Sequence, residues 1–289
     1  MKKNQHASAD AHGKLILLEG LSGSAKTLQA KRLVAFLEKK GLIVQFGAEP
    51  TKNNMCGKAI RKIIEHTPFT KDELDAFRRE VALLQVRLAA RAFGVSRENR
   101  DRMLAFCRML GDIPEKVAAK RKLTELERQL LFLADRFLDI QDTILPALDA
   151  GKWFVLDRYD LSNFAYGGAC GLTIEELYAW HVAVLGKDYL IPDLTLFISV
   201  TPRIAVGRLV KSGKALDRYE SLETLARVDA QYTCAIPFLM SKSVEAGMKD
   251  SLAKPIQVAI IDGRQSRKRV FHEIEKTLKR RGVLPKSQQ

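Results

Sequence analysis

The sequence predicts an α/β fold, a five-stranded parallel sheet with helices on both faces. Three observations predict it: five short apolar runs, helical patterns between them, and a glycine-rich turn, G-L-S-G-S-A-K-T at 20–27, joining the first run to the first helix. Near-continuous apolar runs mark strands buried on both faces, as parallel sheets require, whereas one-sided strands alternate. Strand and helix in repeated alternation imply crossover units and hence a doubly wound sheet.

The first strand is expected at 14–19, K-L-I-L-L-E, followed by a helix over 26–40 with Ala30, Leu33, Val34 and Leu37 on one stripe. Gly41 stands where a helix commonly stops in the left-handed conformation. The second strand is expected at 43–48. From Lys71 to Lys122 the chain is helical and arginine-rich, with breaks expected near Gly94 and at G-D-I-P, 111–114. Leu83, Val86, Ala90 and Phe93 form its apolar face, so this inserted helical pair should pack against something without forming its own domain. The remaining strands are expected at 152–156, 194–200 and 256–261. A basic terminal helix comes last, with Val270, Ile274 and Leu278 on its apolar side.

Composition narrows the class. A chain of 289 residues with 46% hydrophobic and 28% charged residues fits one or two globular domains. No apolar run approaches the ~18 residues that span a bilayer. Residues 1–13 lack the apolar stretch of a secretory signal and are expected to be a disordered tail, leaving 14–289 as the domain. Cys56, Cys107, Cys170 and Cys234 show no paired spacing, so neither a metal site nor a disulfide framework is indicated, and reduced thiols in a cytoplasmic protein are expected. The net charge of +14 suits phosphorylated partners. Nucleic acid is not expected, because no aromatic interleaving or known binding motif accompanies the charge.

The turn at 20–27 is a phosphate loop in its proper context, directly after a strand and directly before a helix. Backbone N–H groups and the positive helix end make an anion site there. Gly20 and Gly23 supply the tight turns, Lys26 reaches the β- and γ-phosphates, and Thr27 offers a hydroxyl to Mg²⁺. A nucleoside triphosphate is expected along Gly20, Ser22, Gly23, Ser24, Ala25, Lys26, Thr27 and Leu28. Ala25 replaces the usual second glycine; at the entrance to a helix its conformation is expected to be acceptable to alanine. Asp157, at the end of the third strand, can hold Mg²⁺ with Thr27, and Arg158 after it can clamp phosphate oxygens.

These residues resemble the thymidylate kinase family, P-loop NTPase-fold enzymes that move the γ-phosphate of ATP onto dTMP. The resemblance runs from about Lys14 to Ile261 and rests on six motifs in order: the phosphate loop, A-E-P at 48–50, L-L-F-L-A-D-R at 130–136, D-R-Y-D-L-S-N-F-A-Y at 157–166, P-D-L-T-L-F-I-S-V at 192–200 and L-D-R-Y-E at 216–220. It implies that Phe132 stacks on the acceptor base and that Arg136, one turn later, holds the acceptor monophosphate. It further implies acceptor contacts from Glu49, Arg158, Ser162 and Tyr166. Residues 208–220 match a mobile lid in which Arg218, helped by Lys211 or Lys214, closes over the transferred group. Lys26, Asp157, Arg158 and Arg218 are thus the expected catalytic residues, and Thr27 and Asp157 the metal ligands.

The departures from the family pattern cluster around the acceptor. Ser22 replaces an acidic residue that usually meets the sugar hydroxyl. Ala48 replaces an arginine, Thr51 and Lys52 replace glycines, and Gly167 replaces a polar residue. The function expected is a nucleoside-monophosphate kinase acting on dTMP or a related nucleotide; the alternative is a catalytically impaired nucleotide-binding scaffold. Family members commonly pair as homodimers through helices, a surface that the 71–122 insertion either extends or obstructs.

Overall fold

The five apolar runs pair as strands because only a sheet can satisfy their backbone groups while both faces stay dry. The computed structural model describes residues 13–213, 215–249 and 255–285, so the expected tail, apart from Gly13, lies outside the described residues, as does Lys214 of the expected lid. The chain begins β1 (Leu15–Glu19), α1 (Lys26–Lys39), β2 (Val44–Ala48), α2 (Met55–Ile64), α3 (Lys71–Arg91) and α4 (Arg97–Ala118). Next come α5 (Glu125–Asp139), a π turn over Ile140–Ile144, α6 (Leu145–Asp149), β3 (Trp153–Asp157), α7 (Asp160–Ala169) and α8 (Ile174–Leu185). It ends with β4 (Leu194–Ser199), α9 (Pro202–Lys211), α10 (Leu222–Lys249), β5 (Val258–Asp262) and α11 (Arg267–Arg280).

All four strand pairings are parallel, and the spatial order is β2-β3-β1-β4-β5. β1 is therefore central: the chain first crosses to the edge strand β2, returns to β3 beside β1, and then continues on the other side through β4 to β5. Ligands bind such sheets outside the carboxyl ends of the strands at this switch point. Register brings Leu18 opposite Asp157 and Ala48 opposite Asp157, so the ends of β1, β2 and β3 align. One face of the sheet buries Ile16, Leu18, Val155 and Ile198 against α1 and α11. The other buries Leu15, Leu17, Phe154 and Leu156 together with α2 to α5.

Two expectations for the helical pair are corrected. The first is the break at G-D-I-P: α4 runs unbroken through Gly111 and Pro114, and the one break falls at 92–96, where Gly94 has φ 87°. A helix-interior proline costs about 3 kcal/mol; here Pro114 is buried and its neighbour Ile113 belongs to the apolar cluster, and that burial offsets the cost. The second is the packing stripe of α3. Phe77, Val81, Leu84 and Leu88 are buried, whereas Leu83, Val86 and Phe93 are 64%, 67% and 88% exposed. Both stripes have helical spacing, so periodicity alone did not separate them. The buried stripe joins the same cluster as β1 and β3, which makes the pair an extension of the sheet's core.

Candidate active site

The phosphate loop needs two glycines for different reasons. Gly20 has φ 136°, and a Cβ there would stand 2.5 Å from the Ile198 carbonyl oxygen; Gly23 has φ 82° and would press a Cβ to 2.4 Å from the Ala205 carbonyl oxygen. Ala25 corrects the expectation drawn from the sequence. Its φ of 71° and ψ of 23° are left-handed, not helical, so the alanine adopts the conformation its missing glycine would have taken. That conformation costs an L-residue roughly 1–2 kcal/mol. The turn keeps its shape at that cost.

Lys26 is buried in the loop and donates to the Leu21 carbonyl at 2.8 Å. Burial, and secondarily the Arg158 guanidinium, lower it to about 7. The Thr27 hydroxyl donates to Asp157 Oδ2 in a short hydrogen bond, while Asp157 Oδ1 is buried with no hydrogen-bond partner among the described residues. A hydroxyl beside a half-satisfied buried carboxylate is a donor set that fits a hard divalent cation. Ser24 Oγ is likewise buried and unsatisfied among the described residues.

Arg158 comes directly after β3 in a left-handed conformation, φ 75°, uncommon for a side chain of its size. Its guanidinium donates to Ser162 Oγ at 3.1 Å, and to the Gly20 carbonyl and Tyr166 Oη at 3.4 Å each, lying 5.1 Å over the Tyr166 ring. Beneath this contact the buried Glu19 carboxylate accepts from the Tyr159 amide, the Ser162 amide and hydroxyl, and the Tyr232 hydroxyl. Ser162, expected at the acceptor, is thereby tied into the scaffold that aims Arg158.

Glu49 and Arg136, both expected to meet the acceptor, meet each other. β2 ends beside β3, so Glu49 enters the core, and the capping box of Thr124 and Glu127 starts α5, which presents Arg136. Arg136 Nε donates to Glu49 Oε1 at 2.9 Å, one terminal nitrogen donates to Glu49 Oε2, and the other donates to His181 Nε2. Since arginine only donates, His181 accepts at Nε2 and its Nδ1–H donates to the Leu177 carbonyl at 2.7 Å. Burial, with Arg136, keeps His181 neutral, well below its usual value. Burial works against the Arg136 charge and the Glu49 carboxylate more than restores it. Nearby, burial raises Asp139 to about 6, with Asp135 adding to the shift, and burial also raises Asp160 to about 6.

One cleft of about 1000 Å³ gathers most of these groups. Ser22, Gly23, Ser24, Ala25, Lys26 and Thr27 line it, as do Glu49, Phe132, Arg136, Asp157, Arg158, Ser162 and Tyr166. Gly20 and Leu28 are not on its wall. Nor is Arg218, which lies 5.0 Å over the Tyr219 ring and 3.9 Å from Glu125. From the expected lid, Arg208 and Lys211 do line the cleft. At Gly167 a Cβ would fall 2.7 Å from Leu177 Cδ1, so a larger side chain there requires the buried Leu177 to shift.

Among the cleft residues missed in the sequence are Gln129, Asn163 and Glu220. Gln129 shares a helix face with Phe132 and Arg136, a spacing that could have revealed it. Asn163 neighbours Ser162 inside D-R-Y-D-L-S-N-F-A-Y. Glu220 closes the motif L-D-R-Y-E. The first two are wired in a fixed sense. Glu125, an acceptor only, takes the Gln129 amide N–H at 2.7 Å, so Gln129 turns its oxygen to Asn163 Nδ2 at 2.6 Å. Asn163 Oδ1 is then left buried and unpaired among the described residues.

A family model described as thymidylate kinase matches residues 81–240, more than half of the chain. A probable thymidylate kinase of Archaeoglobus fulgidus is 38% identical over 111 residues, which cover 38% of this chain and 54% of that protein. A thymidylate kinase of Baumannia cicadellinicola is 38% identical over 42% of this chain and 58% of that protein. With these two relatives, then, the chain spans little more than half of their length. A thymidylate kinase of Bifidobacterium longum is 29% identical over 268 residues, 92% of this chain and 98% of that protein. No helix among the described residues is long and apolar enough to cross a membrane.

Proposed function

The chain belongs to the thymidylate kinase family, and from that premise we propose that it is a nucleoside-monophosphate kinase, transferring the γ-phosphate of ATP to dTMP or a related nucleotide. The observation that supports this reading best is the content of the cleft. The phosphate loop, Thr27 with Asp157, Phe132 and Asn163 all line the same space, and the Asn163 side-chain oxygen is buried there without a partner among the described residues. Lys26 and the loop amides would hold the donor phosphates, and Arg158 would neutralise charge between donor and acceptor. Thr27 and Asp157 would hold Mg²⁺, which when bound neutralises phosphate charge and orients the transferring group. No general base is required, because transfer depends on positioning and charge neutralisation.

The base preference comes from hydrogen-bond polarity. Phe132 offers a ring for stacking, and Asn163 Oδ1 offers an acceptor. Thymine and uracil carry an N–H at N3, whereas cytosine carries an acceptor there, so this wiring favours dTMP or dUMP over dCMP. Arg136 is committed to Glu49 and His181, and on this reading it shapes the pocket floor while Arg158 carries the acceptor phosphate. Arg208 and Lys211 would close over the donor. The reading places residues 14–289 in one kinase domain, with the helical pair at 71–122 as an appendage on its core.

A coupled ADP-release assay over a panel of monophosphates tests it. Turnover is expected with dTMP and dUMP, much less with dCMP, and none in Lys26→Ala. ATP binding without turnover of any monophosphate would overturn the kinase reading; unchanged activity in Lys26→Ala would overturn the loop assignment.

A further inference from the structure

The polarity of the unpaired atom in the cleft is decided outside the cleft. A side-chain amide keeps its shape when its oxygen and nitrogen exchange places, so only its hydrogen-bond partners fix which end is which. Asn163 and Gln129 are two such amides, both buried and both lining the cleft. Either could present a donor or an acceptor. Glu125 removes the choice. It stands in the first turn of α5, one turn before Gln129 on the same helix face, and it is not on the cleft wall.

Both Glu125 oxygens are occupied. Oε2 accepts from Arg128, through Nε at 2.9 Å and through a terminal nitrogen. Oε1 accepts the Gln129 amide N–H at 2.7 Å and the Tyr219 hydroxyl at 3.4 Å. From this carboxylate the order of the chain is forced. Gln129 spends its N–H on Glu125 and turns its oxygen to Asn163 Nδ2, at 2.6 Å. Asn163 is left with an oxygen, buried and unpaired among the described residues. Resting on the kinase reading above, we infer that Glu125 selects the acceptor base without touching it. Acting through Gln129, it holds the Asn163 oxygen for the N3–H of thymine or uracil and against the N3 lone pair of cytosine. Glu125 and Gln129 are positioning residues; Asn163 is the group that meets the base.

One isosteric substitution should therefore invert the preference. In Glu125→Gln the amide oxygen stays with Arg128, because arginine only donates, and the new N–H faces Gln129. Gln129 then turns its N–H to Asn163, and Asn163 turns its own N–H to the base. Adding Gln129→Glu moves the carboxylate one step along the chain and returns the Asn163 oxygen to the base.

The test measures kcat and KM for dTMP and dCMP in the unsubstituted protein, Glu125→Gln, the double variant Glu125→Gln with Gln129→Glu, and Gln129→Met. The ratio of the two kcat/KM values is the readout, because any effect on Arg218, 3.9 Å from Glu125, falls on both acceptors alike. Exchanging a made hydrogen bond for two opposed acceptors or two opposed donors corresponds to roughly 10- to 100-fold in affinity. The unsubstituted protein is expected to favour dTMP by about that factor, Glu125→Gln to favour dCMP, and the double variant to favour dTMP again, with the change carried by KM. Gln129→Met cuts the chain without reversing it and should bring the ratio toward one. Equal losses on both acceptors in Glu125→Gln, or a double variant that does not regain dTMP, would overturn the inference while the kinase reading stands. So would an unchanged ratio in Gln129→Met, which decides the matter even where Glu125→Gln does not fold. Absence of turnover of every monophosphate by the unsubstituted protein would overturn both.

Discussion

A buried charge is stable only while its partner remains, and Arg136 is such a charge. Its bidentate pair with Glu49 is almost fully enclosed, at 1% and 3% side-chain exposure. Burial raises the Glu49 carboxyl to about 8 against the pull of Arg136; Arg136→Ala leaves that carboxyl without its partner in the core and should cost about 3–5 kcal/mol, read by denaturant titration. Replacing both, Arg136→Met with Glu49→Leu, should recover most of that stability. Recovery by the double variant separates a structural pair from two independent ligands. Ala25 gives the opposite sign. Ala25→Gly removes the left-handed strain and should stabilise by about 1 kcal/mol, raising Tm by roughly 2 °C. Asp139 supplies a pH dependence. Its folded pKa of about 6 lies above its ordinary 3.8, so the stability it contributes is full below about 3.8 and is lost as pH rises through 6. Relative to Asp139→Asn, the unsubstituted protein should therefore lose up to about 3 kcal/mol between pH 4 and pH 8. Thermal melts at both pH values check this; a difference that does not change with pH would contradict it.

At the scale of elements, α3 decides which of two apolar stripes faces the core. The sequence offers Phe77, Val81, Leu84 and Leu88 beside Leu83, Val86 and Phe93, and both repeat at helical spacing. Packing against α2 and α4 selects the first set. Phe77→Ala should accordingly cost about 3–5 kcal/mol, whereas Leu83→Ala should stay within about 0.5 kcal/mol in the isolated chain. Chemical denaturation of the two variants distinguishes the stripes. The reverse result would mean that helix α3 is rotated from the arrangement described. Helix α4 makes a related point: Gly111 and Pro114 read as a break, yet the helix continues because Met103, Phe106, Leu110 and Ile113 are buried along its core face and Val117 packs half-buried beyond them. Local propensity is the weaker force there, since tertiary packing supplies most helical stability.

At the scale of the molecule, the parallel sheet brings groups from β1, β2, β3, β4 and the segments after them to the carboxyl ends of the strands. Lys26, Glu49, Asp157 and Glu220 are up to 194 positions apart in sequence, and they line one cleft. By itself the sequence determined the five strands to within about two residues, the phosphate loop and its Lys26–Thr27 pair, Asp157 at its strand end, and the family, because each rests on local patterning or on a contiguous motif. Only the tertiary structure decided the rest. Arg136 is spent on Glu49, Arg218 turns to Glu125, Ala25 is left-handed, and Asn163 and Glu220 join the cleft. Those outcomes depend on which side chains meet across the fold and which polar atoms are left over when every other bond is made. A linear pattern carries spacing, and spacing does not specify partners between distant segments. The sheet specifies them, by fixing strand order and register.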